Sequence, residues 1–595
     1  PDDGCRICHL QRHQQNVVER VRKWNPAGDR RAGNVFPGQR SRLADSVVVS
    51  IVEKLASLIP GHEPETPAGA IRVVDPSPLN WLSITHNTCE ALFRVEPDGH
   101  PAPAATSSYT WIDSHALEIQ IREGDYFANG EPVTAAAVKR SIDEAMKWRA
   151  PHPHGTHLNL HLAAPCEITG EHTVRLQLSE PDGFASGKLR ALPIMSTRFW
   201  EELGFGEKRK GSAEGHWQVL DGPGAWGTGP FLLTEGYSSL DNEEAVICRH
   251  PFASTWIPLN EDRTPHLRLE ANPNYWDTRR GPHVREVIFR NDISPERALE
   301  LVCTAEGEVD LVTEVPPERA GEVESSRYAK LVCIEAFRAV AGIINRTAEG
   351  LPLRDRRARL ALNLAIDRDR IVREALFGKA DPLGGLTPPA AVTFLHRLPP
   401  YPHQPVRACD LWEEAGGVKS RALRIVAPGK FEAAARIVAA NIKDALRIQT
   451  ELSIIRDSRE LRRVQRQLIE KDRPLDWDIF LQEQGAQAAD TVVLDLHRAF
   501  VGATGEFRAG PVAAGFELLY RERLAETSAL KIAQIAHRVD KFVFDEAYAL
   551  FLYAPHVLYA VNKQVHFTPY RTTLDLAQTR VSDQHWSRRP RTAHA

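Results

Sequence analysis

A chain of 595 residues is longer than one hydrophobic core usually serves, so about two to four domains are expected. Its 74 basic and 78 acidic side chains nearly cancel, which excludes a polyanion-binding footprint over the whole chain, and no nucleic-acid partner is expected. No run approaches the ~20 apolar residues that span a bilayer, so a soluble chain is expected. Arginine far outnumbers lysine and there are only 2 methionines, the bias of a GC-rich genome, from which no function is drawn.

Residues 1–66 are polar and arginine-rich. Within them Val47, Val48, Ile51, Leu55 and Leu58 form the apolar stripe of an amphipathic helix that ends at Pro60-Gly61. Residues 61–69 read as a linker, and the body opens on a short strand at 71–74. The most informative stretch is 117–142, LEIQIREGDYFANGEPVTAAAVKRSI. Leu117, Ile119 and Ile121 alternate with polar residues as in a half-buried strand, and Glu123-Gly124-Asp125 breaks it. A second turn follows at Asn129-Gly130. Thr134 is placed to N-cap a helix bearing Val138, Ile142 and Ala145. Strands are expected at 166–168 and 174–178, a glycine hairpin at 226–231, and strand–helix alternation from 342 to 480, the pattern of an α/β lobe. In that lobe Asp367 can cap a helix stopping at Gly378. Apolar runs at 550–553 and 557–561 supply two late strands, and the tail from 587 is expected to be disordered.

Several of these segments carry wording of a known family. Residues 126–138 hold Phe127, Gly130, Pro132, Val133, Thr134, Ala135 and Val138. Residues 90–99 read EALFRVEPDG, 226–231 WGTGPF, 272–276 NPNYW and 307–310 GEVD, while 357–368 read RARLALNLAIDR. In this order they resemble the extracytoplasmic solute-binding proteins of peptide and nickel ABC importers. The resemblance covers about 70–580 and implies a two-lobed α/β periplasmic-binding-protein fold (type II, peptide-binding class) with an additional inserted domain. The implied arrangement is an extension over 1–66, lobe I from 67–98, 226–336 and 548–586, the additional domain over 99–225, lobe II over 337–547, and a tail over 587–595. Residues 248–267 look like an insertion that the family does not require. The implied protein is not an enzyme. It is a monomer, periplasmic or otherwise extracytoplasmic, that captures a peptide or other small polar solute by hinge closure and docks on the transmembrane subunits of an ABC permease. Export rests on the resemblance, since a chain opening at Pro1 is compatible with a leader already removed.

Peptide binders of this family place a carboxylate after a lobe II strand to pair the peptide ammonium. Here the strand at 477–481 runs into QEQGAQAAD, and the matching position is Gln487. An amide cannot neutralise an ammonium. Glu483 or Asp490 substitutes under a small register shift, and the candidate pocket residues are Asn345, Gln482, Gln484 and Gln487. Peptides and other solutes (sugars, opines, metal chelates) both stay open.

Two further features have a metal flavour. Cys5, Cys8 and His9 fit CxxCH, the attachment pattern of haem c; a haem-bearing redox component, or a metal-chelate or haem binder, is the alternative function. A disulfide or zinc pair and plain terminal cysteines remain open for the same residues, and no cofactor is otherwise expected. His152, His154, His157 and His161 could gather around a transition metal, but Pro151 and Pro153 favour a solvated turn. No GxSxG, HExxH or GxxxxGK[ST] run supports a hydrolase or nucleotide-binding reading.

Overall fold

The computed structural model describes residues 66–77, 80–147, 160–202, 224–236, 238–239, 262–391, 397–417, 421–471 and 474–589. The chain divides after Pro64 into two units, and all of the described residues belong to the second, 65–595. The 47–58 stripe, Cys5, Cys8, His9, and His152, His154 and His157 lie outside the described residues.

The backbone of this unit is one 12-stranded mixed sheet. From one edge it runs Thr450–Ile455, Leu423–Pro428, Ile479–Gly485, Arg338–Ile344, Ala549–Asn562, Leu311–Val312, Ala70–Val74, Glu286–Arg290, His266–Ala271 and Phe231–Glu235, with Ala329–Glu335 and Ala380–Pro382 also paired to Ala549–Asn562. That strand is the pivot. Its first half pairs antiparallel with Arg338–Ile344 (Gly342 opposite Leu550), and its second half with Ala329–Glu335 (Leu331 opposite Ala560). The chain therefore crosses between the two halves of the sheet twice, at 336–337 and at 554–555. The late apolar runs, expected as two strands, are one. Pro555 does not interrupt it, although it has no N–H to give to the ladder, because its neighbour there is the short strand Ala380–Pro382.

Helices cover the first half. Arg356–Ala365 and Glu432–Leu446 bury Leu362, Ala365, Val438 and Ile442 in one core with Ile425, Ile479 and Leu550. Arg368 then ties helix to sheet. It donates from Nε to Phe551 O at 2.8 Å and from Nη2 to Asn363 Oδ1 at 2.9 Å, and burial pushes its pKa down to about 10. Asp367 caps Arg368–Glu374 by accepting from Arg370 N at 2.9 Å, as its position predicts.

A separate four-stranded sheet, Thr106–Trp111, Ala116–Ile121, Thr173–Gln177 and Glu167–Gly170 in that order, packs with the helix Ala135–Lys147 around its own core of Leu117, Ile119, Ile121, Val138 and Ile142. Thr134 Oγ1 accepts from Ala137 N at 3.3 Å, and the two turn glycines, Gly124 and Gly130, have φ of +80° and +87°, where a Cβ would be strained. The other motifs converge on the junction between this body and the main sheet. Glu90 is buried and accepts from Tyr275 OH at 2.9 Å, Trp276 Nε1 at 2.7 Å and Thr228 Oγ1 at 3.3 Å, while Asn272 Nδ2 donates to Gly229 O at 2.9 Å. A Cβ on Gly229 would lie 2.4 Å from the Thr88 carbonyl carbon, so this approach needs glycine.

Two boundaries differ from expectation. Leu267, at the end of the supposed 248–267 insertion, is fully buried in the strand His266–Ala271, and residues 248–261 lie outside the described residues. Residues 587–589, expected as the start of the tail, are held in place: Ser587 Oγ accepts from Ala70 N at 2.9 Å, and Arg589 pairs with Glu306 at 2.6 Å. The anchor is the fully buried Asp310, which accepts from Arg72 N (2.9 Å), Asn562 Nδ2 (2.9 Å) and Trp586 Nε1 (3.0 Å) and lies 3.0 Å from His585 Nε2.

Candidate functional site

The helix Ala529–Asp545 has two working faces. Ile535, Val539 and Val543 enter the core, while Ala529, Ile532, Ala533, Ala536, His537 and Asp540, spaced by three and one, share the adjacent face and line a cavity of about 310 Å³. The opposite wall comes from the four-stranded body, with Tyr109 and Trp111 on its edge strand and Ser186 after the bend at 182–184. Thr387, Ala489, Asp490, Val492 and Val493 close the remaining side. A wider groove of about 550 Å³ over Asp369, Arg373 and Phe377 is formed by exposed and half-exposed residues. It offers no buried polar group to orient a ligand, so the deeper cavity is the candidate.

Several contacts join the walls. Arg190, from the four-stranded body, makes a two-point pair with Asp490 (2.6 and 3.2 Å); Gly183 N donates to Leu524 O at 2.6 Å, and Ala489 N to Gly99 O at 3.0 Å. The Arg523 guanidinium lies 3.9 Å over the Phe184 ring, and burial lowers its pKa to about 10.

Asp540 is the polar group this cavity isolates. It is 8% exposed, and burial raises its pKa to about 7 against hydrogen bonds from Thr387 and Leu386 that pull the other way. Its Oδ1 has no hydrogen-bond partner among the described residues. His497 Nε2 approaches to 3.4 Å, but burial pushes that imidazole down to about 3, so the neutral ring forms no ion pair; its Nε2 is also 3.0 Å from Thr387 Oγ1. A Cβ on Gly385 would lie 2.6 Å from Asp540 Oδ1, so the glycine leaves that oxygen its room. His497 sits in a π-helical turn, Val493–Arg498, a distortion often found at functional sites.

The residues expected from the sequence lie elsewhere, and none of the four lines the cavity. Asn345 is 2% exposed and saturated: Nδ2 donates to Trp477 O at 2.9 Å, and Oδ1 accepts from Thr347 N and Oγ1 at 3.0 and 2.7 Å. Gln482 and Gln484 are half-buried on the strand Ile479–Gly485, and the Gln482 amide donates to Glu483 O at 2.6 Å. Gln487 donates its backbone N–H to Asp495 at 2.8 Å. Of the two substitutes, Glu483 is paired by Lys430 (2.8 Å) and Arg338 (3.3 Å). Burial opposes its ionisation, but these cations hold its carboxyl below the usual value. Asp490 does reach the cavity, with its charge matched by Arg190.

A cavity walled by two bodies, above a sheet crossed twice by the chain, is the geometry of a hinged binding protein. The family described as bacterial extracellular solute-binding proteins, family 5 (middle) matches residues 100–493, more than half of the chain. The chain belongs to this family.

Family 5 proteins are binding proteins rather than enzymes, and solved structures place this chain in their two-lobed fold. CtaP, an ABC transporter substrate-binding protein of Listeria monocytogenes, has a TM-score of 0.68 at 16% identity, covering 87% of this chain and 100% of CtaP. DppA of Helicobacter pylori, in complex with the peptide STSA, has a TM-score of 0.64 at 17% identity, covering 86% of this chain and 98% of DppA. In sequence, the glutathione-binding protein GsiB of Escherichia coli K12 is 25% identical over 329 residues, 55% of this chain and 55% of GsiB. The chain thus spans about half the length of the curated relatives it matches. Among the described residues no helix is long and apolar enough to cross a membrane.

Sequence reasoning about this family 5 chain did not single out Asp540, Arg523 or Trp111, which line the cavity. One signal was present: Asp540 directly follows Val539 in the stripe Ile535, Val539, Val543, where an acidic residue is costly unless it has a task.

Proposed function

We propose that this protein is the solute-capturing component of an ABC importer and that its cargo is a small, amine-bearing solute of short-peptide size. Asp540 supports this reading most directly. Asp540 lines a cavity between two bodies and keeps one carboxyl oxygen without a hydrogen-bond partner among the described residues, and an ammonium beside it would convert a costly buried carboxyl into a charge-assisted pair. Arg523, with backbone contacts of only 3.4 and 3.5 Å, is available for a carboxylate at the far end of the same ligand. Trp111, Tyr109 and Ile532 offer apolar walls for what lies between. A volume of about 310 Å³ suits a di- or tripeptide better than a long chain. The names of relatives point the same way, since GsiB is called glutathione-binding and the DppA structure holds a tetrapeptide. The carboxylate that peptide binders carry near position 487 is here supplied from the helix Ala529–Asp545. On this reading the protein works outside the cytoplasmic membrane as a monomer and delivers its ligand to permease subunits.

The test is calorimetry with a panel of di- and tripeptides, glutathione included, and their N-acetylated forms. A free amine is expected to bind and its acetylated form to lose at least about 100-fold, the equivalent of ~2.7 kcal/mol. Equal binding of both forms would refute the role of Asp540.

A further inference from the structure

At the double crossing between the two halves of the sheet, four side chains able to ligate a metal meet on one surface. Glu335 ends the strand Ala329–Glu335 and stands opposite His556 in the ladder. Asp381 lies in the short strand Ala380–Pro382, opposite Ala554. Glu335, Asp381 and His556 each present a ligand atom, and these atoms all fall within 4.8 Å of one another. His556 Nε2 is 3.1 Å from Asp381 Oδ2, and its Nδ1 is 3.5 Å from Cys333 Sγ. Cys333 and Glu335 are exposed and the other two half-buried, so an ion could enter without disturbing the core. Glu335 also pairs with Arg571, whose Nη1 is 3.8 Å from Glu335 Oε2 and donates to Glu335 O at 2.8 Å.

We propose that Glu335, Asp381 and His556 form a binding site for a divalent transition ion of the zinc class, with Cys333 accepting from the imidazole nitrogen that faces away from the metal. One imidazole and two carboxylates fit zinc with a fourth position open, whereas calcium and magnesium prefer an all-oxygen set. A metal-bound imidazole normally gives its other N–H to an acceptor, and Cys333 stands where that acceptor is needed. The placement also gives the ion a consequence. Asp381 is held beside residues 553–555, and Glu335 beside 556–562, so a loaded site ties together strands on either side of the crossing at 554–555. Zinc would stiffen the hinge and make opening and closing metal-dependent.

The experiment uses the full chain, stripped with a chelator, re-equilibrated with zinc, desalted and analysed for bound metal. Cys5, Cys8, His9 and the histidines at 152–161 could hold zinc of their own, so the site is read as a difference. The wild type is expected to retain one equivalent more than E335Q, D381N or H556Q, and the double variant C5S/C8S to keep that equivalent. E335Q changes an exposed side chain and should fold normally, which keeps the test valid if H556Q does not. The proposal is overturned if E335Q and D381N hold as much zinc as the wild type, or if a tenfold excess of calcium removes the ion.

Discussion

Replacing Asp540 with asparagine keeps the shape of the side chain and removes its charge. The carboxyl titrates from 3.8 in the unfolded chain to about 7 in the folded one, with burial as the main cause. At 1.36 kcal/mol per unit, ionising it in the folded protein costs at most ~4 kcal/mol. Because the folded value is the higher one, this contribution to stability is complete below about pH 4, declines as pH rises, and is lost once pH passes about 7. D540N has nothing to ionise. The wild type should therefore lose about 2–4 kcal/mol relative to D540N between pH 4.5 and 7.5, a large share of a typical folding free energy. Urea unfolding followed by tryptophan fluorescence at four or five pH values, both proteins in the same buffers, measures the difference and cancels the other titrating groups. A saturating amine ligand should flatten the wild-type curve, since an ammonium favours the ionised carboxylate, and leave D540N unaffected. If the difference varies by less than about 0.5 kcal/mol over this range, the cavity solvates Asp540 and the case for an ammonium subsite fails.

Calorimetry near pH 6.5 in buffers of different ionisation enthalpy should show up to about one proton released per amine ligand bound by the wild type and none by D540N. Asp490→Ala leaves the Arg190 side chain, 3% exposed, without its partner and should destabilise the protein by about 3–5 kcal/mol; the double variant with Arg190→Met should recover much of this in urea unfolding. Asp310→Ala strands several buried donors, each costing about 1–3 kcal/mol, and should free residues 585–589 for proteolysis before the rest of the chain is cut. Thr134→Ala should cost about 1 kcal/mol and leave ligand affinity unchanged.

What could be read from the sequence was local. Residues 117–142 announce a strand, two turns and a capped helix because alternation, two glycines at positive φ and one threonine act within a few residues of each other. The order of the motifs points to the fold, yet nothing in Glu90 alone says that it will receive Tyr275 and Trp276 from more than 180 residues away. The site is harder to read for the same reason in a sharper form. Gln482, Gln484 and Gln487 sit where a peptide binder's carboxylate would be sought, but cavity walls are chosen by sheet order and helix packing. The strand Ile479–Gly485 spends its register on Arg338–Ile344, pairing Gln482 with Ala341 and Gln484 with Ala339. The turn beyond it delivers Ala489 and Asp490 to the cavity, with Asp490 already bound to Arg190. A carboxylate paired at two points by a buried arginine has little left for an ammonium. In the proposed function that role falls to Asp540, half a hundred residues further on, buried without a cationic partner among the described residues and set beside an otherwise apolar helical stripe.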